Sequence, residues 1–298
     1  MDFTIANAEK NTLSKQNLAN KYEINYSVDI NNDNDSHSIL AKNALSAKNI
    51  LDVGCGTGHI GRIIKSIHPE TKVDGIDIDR EACDICKKYY DGVTIMRLGD
   101  ESDKAFLSFS KQNKLYDCII CGDIIEHLQD PGLIVSILAK KLAPKGKLLI
   151  SVPNVAHIDV IANLIDGRFN YGETGILDNT HLRFFTESSF YEFVDNINHH
   201  YGTSLSPRRI ARTIVEHPIL DTRYFKEICG DEIFTFQNIF ELRKTKKPVI
   251  PQPKPKQNYH DIIVAIDKGK DLQSVKNSLS WKITAPLRKI YFFFRRNK

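Results

Sequence analysis

Nowhere in its 298 residues does this chain hold 18 consecutive apolar residues, so no stretch reads as a membrane-crossing helix. The opening residues Met1-Asp2-Phe3-Thr4 are followed by no signal-peptide core, which predicts a cytoplasmic protein. No internal repeat divides the chain, which argues against a solenoid. Basic residues are missing where a phosphate ligand would need them: the glycine turn that begins at Asp52 meets no Lys or Arg before Arg62. Acids are missing from the other end. None follows Asp271, and from Leu242 onward 15 Lys and Arg face three acids, leaving 26 against 34 in residues 1–241. The body is acidic and the tail basic.

Cysteine is also sparse. Cys55, Cys83, Cys86, Cys118, Cys121 and Cys229 include two C-x-x-C pairs, a spacing that suggests zinc. Cys118 and Cys121 lie in the apolar run Tyr116–Cys121, however, and residues three apart in a strand point to opposite faces. Buried, reduced thiols are therefore expected. Hydrophobic residues at 41% support a sizeable core, and the length predicts one large domain plus an appendage.

The chain is organised around Asn49-Ile-Leu-Asp-Val-Gly-Cys-Gly-Thr-Gly-His-Ile-Gly61, an apolar strand that runs into a glycine turn and then a helix. Gly54, Gly56 and Gly58 admit positive φ and let a ligand lie against bare backbone, with the N–H groups of the next helix facing it. Gly56, Gly58 and Gly61 also fit G-x-G-x-x-G, the turn that cradles a pyrophosphate. Asp52 argues against that ligand. A carboxylate about 4 Å from a phosphate costs about 4 kcal/mol at an effective dielectric near 20. A ligand carrying an ammonium and a sulfonium turns the penalty into attraction, and S-adenosyl-L-methionine is such a ligand.

Leu51-Asp-Val-Gly-Cys-Gly-Thr-Gly58 resembles motif I of class I S-adenosylmethionine-dependent methyltransferases. The resemblance implies a doubly wound, seven-stranded α/β Rossmann-like sheet with its last strand reversed, and a cofactor held at Asp52, Gly54, Cys55, Gly56 and Gly58. Val73-Asp-Gly-Ile-Asp77 reads as a second strand ending in an acid, where the family binds both ribose hydroxyls. Alternation around Ile76 and Ile78 favours Asp77 over Asp79. Ile78 completes that part of the site, Asp100 and Glu101 after the third strand stand where the family meets the adenine amino group, and Gly122 ends the fourth strand under the transferred methyl.

Strand and helix signals alternate at βαβ spacing from Asn49 onward. Strands are predicted near 49–53, 73–77, 93–98, 116–121 and 147–152, then 208–215 and 232–243, the last antiparallel at the edge. Helices are predicted near 58–67, 80–90, 103–112 and 131–142, with Lys145-Gly146 as the last helix stop. Upstream, residues 1–45 form an N-terminal segment beside the pocket: a strand-like Tyr22–Ile30 and a helix capped by Asp35 or Ser36. The methyltransferase domain spans 46–243, with a cap insertion over about 153–186. Residues 244–257, with four prolines among lysines, read as an extended, solvated linker, and 258–298 as a basic amphipathic tail.

Past the fourth strand comes Asp123-Ile-Ile-Glu-His127. Methyl transfer is an in-line displacement on a cationic carbon, so a hydroxyl acceptor needs orientation and a base. Histidine titrates near working pH, which makes His127 or His181 the candidate base, with Glu126 beside them. Loop stabilisation is the competing role for His127. Asp123, Glu126, His127 and His181 also echo the metal-ligand set of RNA 3′-end and ubiquinone-type methyltransferases. The first position is the shorter Asp, and no metal is assigned.

Ser151–His157 and Gly175–Thr186, together with Ser36-His37 upstream, resemble methyltransferases of bacterial surface-polysaccharide and O-antigen synthesis. That likeness implies O-methylation of a sugar hydroxyl in a glycan or its precursor, with cap aromatics and Arg183 gripping it. A small phenol or quinone acceptor is the alternative, and a non-catalytic cofactor-binding scaffold a third. Residues 272–298 hold Trp281, Phe292, Phe293 and Phe294 among seven cations, a composition suited to an anionic membrane surface at the inner face of the cytoplasmic membrane. A partner enzyme such as a glycosyltransferase is the second occupant for that tail, and nucleic acid the least favoured.

Overall fold

The computed structural model describes residues 29–165, 167–215 and 231–252. Seven strands form one sheet: β1 (Asn49–Val53), β2 (Lys72–Asp77), β3 (Gly92–Ile95), β4 (Tyr116–Gly122), β5 (Leu142–Pro153), β6 (Leu205–Ile214) and β7 (Thr235–Lys244), in the order β3-β2-β1-β4-β5-β7-β6. Strands β1 to β5 pair in parallel, and β7 runs antiparallel to both β5 and β6. The reversed last strand is thus as expected, but it lies inside the sheet and β6 takes the edge.

Among the described residues seven helices flank the sheet: α1 (Ser36–Ala44), α2 (His59–Ile67), α3 (Arg80–Cys86), α4 (Lys104–Lys111), α5 (Pro131–Lys140), α6 (Ile158–Ile165) and α7 (Glu187–Tyr201). Asp35, Asp79, Asp103, Asp130 and Thr186 each accept a hydrogen bond from an early amide of α1, α3, α4, α5 and α7, caps worth roughly 1 kcal/mol each.

Strand alternation sorts the core onto two faces. Leu51, Val53, Ile119, Cys121, Leu148 and Ile150 join α4, α5 and α7, whereas Ile50, Cys118, Ile120 and Leu149 join α1 and α2. Cys118 and Cys121 therefore do point to opposite faces, and the five described cysteines are free and buried. Phe190 on α7 stacks on Phe240 of β7 with ring centroids 3.8 Å apart, which seats the reversed strand against the helical layer.

Some boundaries differ from the sequence reading. Helix α5 stops at Lys140, and Lys145-Gly146 belongs to the start of β5, where Lys145 sits at φ 66° beside a register shift opposite Tyr116 and Cys118. The linker does not begin free: Thr245 N–H donates to the Ser204 carbonyl, Val249 N–H to Ser206 Oγ, and Ile250 packs on the core. Of the strand-like stretch 22–30 only Asp29 and Ile30 are described, and neither is in a strand; the tail 258–298 lies outside the described residues. Among the described residues no helix is long and apolar enough to cross a membrane.

Candidate active site

The carboxyl ends of β1, β2 and β4 lie side by side where strand order reverses, and it is in the crevice at such a point that open α/β sheets bind ligands. Strand β1 leaves the sheet through Gly54, Gly56 and Gly58, at φ 74°, 51° and 87°, values that only glycine adopts without strain. Much of this loop's backbone is spent internally. Gly54 and Cys55 N–H both donate to the Ile76 carbonyl at 2.7 and 3.0 Å, Gly58 N–H to Cys55, and Gly56 N–H to Asp77 Oδ2 at 2.7 Å. Four amides of the loop are therefore spent within the fold, before the helix begins.

Side chains also occupy space that bare glycines were expected to leave for a ligand. A Cβ on Gly54 would run into Ile124, and one on Gly122 would lie 3.1 Å from Leu40 of α1. Gly122 serves the docking of the N-terminal helix as much as the crevice.

The two acids after β2 divide their work. Asp79 caps α3, while Asp77, 8% exposed, accepts from Gly56 N–H and, at 2.9 Å, from Asp79 N–H. Ile78 next to it is 52% exposed, an apolar surface at the crevice mouth. Asp100 accepts from Ser102 N–H and Oγ, which commits one carboxylate oxygen to its own turn, and Glu101 is exposed. Asp52 is buried at 2% exposure. Burial pushes its carboxyl up to about 6, against the hydrogen bond from Tyr90 and the attraction of His37, with Asp77 adding to the rise.

Beyond β4 the chain turns through Asp123, at φ 51°, strained for a residue with a side chain. Its carboxylate accepts from Ser151 Oγ at 3.0 Å and Gln237 Nε2 at 2.8 Å. The short helical turn Ile125–His127 then brings Glu126 and His127 against His181, one ligating atom from each lying within 4.8 Å of the other two. The imidazoles of His127 and His181 meet edge to face, centroids 4.7 Å apart. Asp123, the fourth member suggested by sequence, is turned away.

Glu126 is 1% exposed and neither carboxylate oxygen accepts a hydrogen bond from another residue. Burial, then the nearby Asp123 charge, holds it well above the usual carboxylate range. His181 Nδ1 lies 2.9 Å from the Ile176 carbonyl, and His127 Nδ1 lies 3.2 Å from that of Thr180. Carbonyls only accept, so the proton sits on Nδ1 in both rings and the lone pair on Nε2. Two imidazoles fixed by backbone carbonyls and one orphaned buried carboxylate are also a donor set that fits a first-row divalent cation.

The segment after α6 closes over this turn. Leu182 and Arg183 N–H donate to the Glu126 carbonyl at 2.7 and 3.0 Å. Arg183 donates from Nη1 to the Leu182 carbonyl and from Nη2 to that of Gln129. Phe169, Tyr171 and Phe184 form an aromatic cluster with centroids 5.7–6.2 Å apart, and Phe184 lies 6.4 Å from the His181 ring. Phe169 and Tyr171 are exposed.

The family described as "Methyltransferase domain" matches residues 33–200, more than half of the chain. The chain belongs to that family. This methyltransferase is similar, at 28% identity over 158 residues, to a protein of Rickettsia bellii named ubiquinone biosynthesis O-methyltransferase, the match covering 52% of this chain and 63% of the relative. A Burkholderia vietnamiensis protein of the same name is 30% identical over 122 residues, covering 40% and 48%. The chain thus spans under two thirds of these relatives. Among solved structures, magnesium protoporphyrin IX methyltransferase from Synechocystis PCC 6803 with bound SAH superposes with a TM-score of 0.50 at 15% identity, covering 82% of this chain and all of that one. The plantazolicin methyltransferase BpumL in complex with SAH gives 0.51 at 17%, covering 80% and 91%. These likenesses show the shared fold, and the cofactor of the methyltransferase is S-adenosylmethionine.

Tyr90 and Thr180 were not singled out from sequence. Only Gly61, a glycine inside a helix with no assigned ligand, signalled that something bulky lay against α2.

Proposed function

We propose that this methyltransferase transfers the methyl group of S-adenosylmethionine to the hydroxyl of a small molecule of phenol or quinone type. The observation that carries the reading is the gathering of Glu126, His127 and His181 beyond the carboxyl end of β4. The names of the curated relatives add support. The glycan acceptor expected from the polysaccharide resemblance draws no support from those relatives.

In this reading Asp52 attracts the cationic cofactor, Asp77 takes the ribose hydroxyls and the exposed Ile78 surface lies along the adenine. Phe169, Tyr171 and Phe184 offer ring faces to a flat acceptor. The acceptor oxygen attacks the methyl carbon, the C–S bond breaks, and sulfur keeps the electron pair. The hydroxyl proton passes to Nε2 of His127 or His181, with Glu126 beside the imidazolium that forms. A divalent cation on these three residues, when bound, would lower the pKa of the acceptor hydroxyl.

The test incubates the full chain with S-adenosylmethionine and either catechol or a nucleotide sugar, and follows S-adenosylhomocysteine and methylated product by mass spectrometry. Methylation of catechol is expected. Methylation of the nucleotide sugar alone would overturn the reading.

A further inference from the structure

Tyr90 follows α3 and reaches under the glycine turn, 7% exposed. Its ring lies in space left by three residues without side chains. A Cβ on Gly75 of β2 would come within 2.9 Å of the ring, one on Gly58 within 3.1 Å, and one on Gly61 would overlap it. The third glycine of G-x-G-x-x-G therefore makes room for a tyrosine. Its hydroxyl accepts from Gly61 N–H at 2.9 Å and donates to Asp52 Oδ2 at 2.5 Å. Among the described residues no other hydrogen bond to the Asp52 carboxylate is seen, which leaves Oδ1 for a ligand.

We propose that Tyr90 is a positioning residue for the cofactor: its phenol ties the Asp52 carboxylate to the first turn of α2 and aims it at a cationic ligand. The inference does not depend on which acceptor is methylated. Burial and the neighbouring Asp52 charge push the phenol well above its usual range, so it stays protonated and can only donate to the carboxylate. The bond is also the largest influence favouring the ionised form of Asp52 against burial. His37 of α1 adds attraction and Asp77 of β2 repulsion, while at Cys55 beside the phenol, against the hydrogen bond with Cys83, the bond with Cys86 and then burial raise the thiol. Loss of the phenolic hydroxyl should leave Asp52 protonated at a higher pH. A cationic cofactor would then bind weakly at neutral pH and recover as alkali restores the charge.

The experiment measures S-adenosylmethionine binding by calorimetry between pH 5.5 and 9 for the full-length wild type, Tyr90→Phe, Asp52→Asn and the double variant. For wild type, affinity should fall below about pH 6, approaching about tenfold per unit. Tyr90→Phe should bind about tenfold more weakly at pH 7 and regain wild-type affinity within about threefold at pH 9, the break having moved up by about two units. In the Asp52→Asn background the same change should have little effect. His37 and Asp77 are present in all four proteins, so their contributions are shared in the comparison. Wild-type affinity in Tyr90→Phe at every pH would overturn the proposal. So would a weakening that is the same at pH 7 and pH 9, the mark of a ring that only packs.

Discussion

Asp52→Asn should make the ligand-free protein more stable and its cofactor binding worse. The folded-state carboxyl is raised from 3.8 to about 6, chiefly by burial, a shift of about two units that corresponds to about 3 kcal/mol. The sign follows from proton counting. Between pH 4 and 6 the folded state holds the proton more tightly than the unfolded chain, so wild-type stability falls as pH rises through that window and stays low above it. Asparagine removes this loss but buries an amide whose two donors lack partners, which costs about 1–3 kcal/mol. The net gain at pH 7.5 should be about 0–2 kcal/mol, or up to roughly 8 °C in Tm at about 2–4 °C per kcal/mol. Below pH 4 the gain should vanish and the amide's cost should remain. Urea titrations of both proteins at pH 4, 5, 6 and 7.5 check this, with calorimetry showing the accompanying loss of S-adenosylmethionine affinity. A stability difference that does not grow with pH would refute the assignment of a buried, destabilising charge to Asp52.

Two further outcomes follow from the geometry and a third from the sequence of the tail. Titration of the metal-free full chain with Co²⁺ should show one site by visible absorption, and Glu126→Gln or His181→Ala should weaken it at least about 100-fold while S-adenosylhomocysteine still binds; no Co²⁺ site in wild type would rule out a metal-holding role. Phe240→Ala should cost about 3–5 kcal/mol in urea melts, since it empties the stack against Phe190, and a cost under about 1 kcal/mol would mean that β7 is held without it. Deleting residues 272–298 should release the protein from anionic vesicles and leave cofactor affinity unchanged; equal vesicle binding by both forms would leave a partner protein as the tail's occupant.

Where one local rule fixed the backbone, the sequence reading came close. Strand β1 is bounded as expected, because four consecutive buried positions end at a glycine that must take positive φ. Where two structures share one signal, it failed. A left-handed residue beside a glycine stops a helix, but it also starts a bulged strand, and only pairing with Tyr116 and Cys118 shows that Lys145-Gly146 does the second. The place of β7 was likewise hidden. Antiparallel pairing with both β5 and β6 depends on contacts such as Phe190 on Phe240, 50 residues apart, which no local pattern encodes.

The candidate site divides in the same way. The glycine turn, Asp77 and the pair Glu126-His127 follow strand ends and could be read off, whereas partners brought in from afar could not. Ser151 and Gln237 claim the Asp123 carboxylate from 28 and 114 residues away, removing it from the cluster its spacing suggested. Glu126 shows the reverse. Its sequence neighbours look like any loop acid, yet the fold buries both oxygens and gives them no donor, a cost of several kcal/mol for an ionised carboxylate. Asp52 carries a smaller cost of the same kind, eased by Tyr90. A chain that satisfies five helix caps with well-placed side chains has no general shortage of hydrogen-bond partners. Among the described residues it leaves the Glu126 carboxylate with no donor, and the Asp52 carboxylate with the one from Tyr90, at the carboxyl ends of neighbouring strands β4 and β1. Such violations concentrate where a ligand completes the structure: a cationic cofactor at Asp52, and a proton, metal ion or acceptor hydroxyl at Glu126.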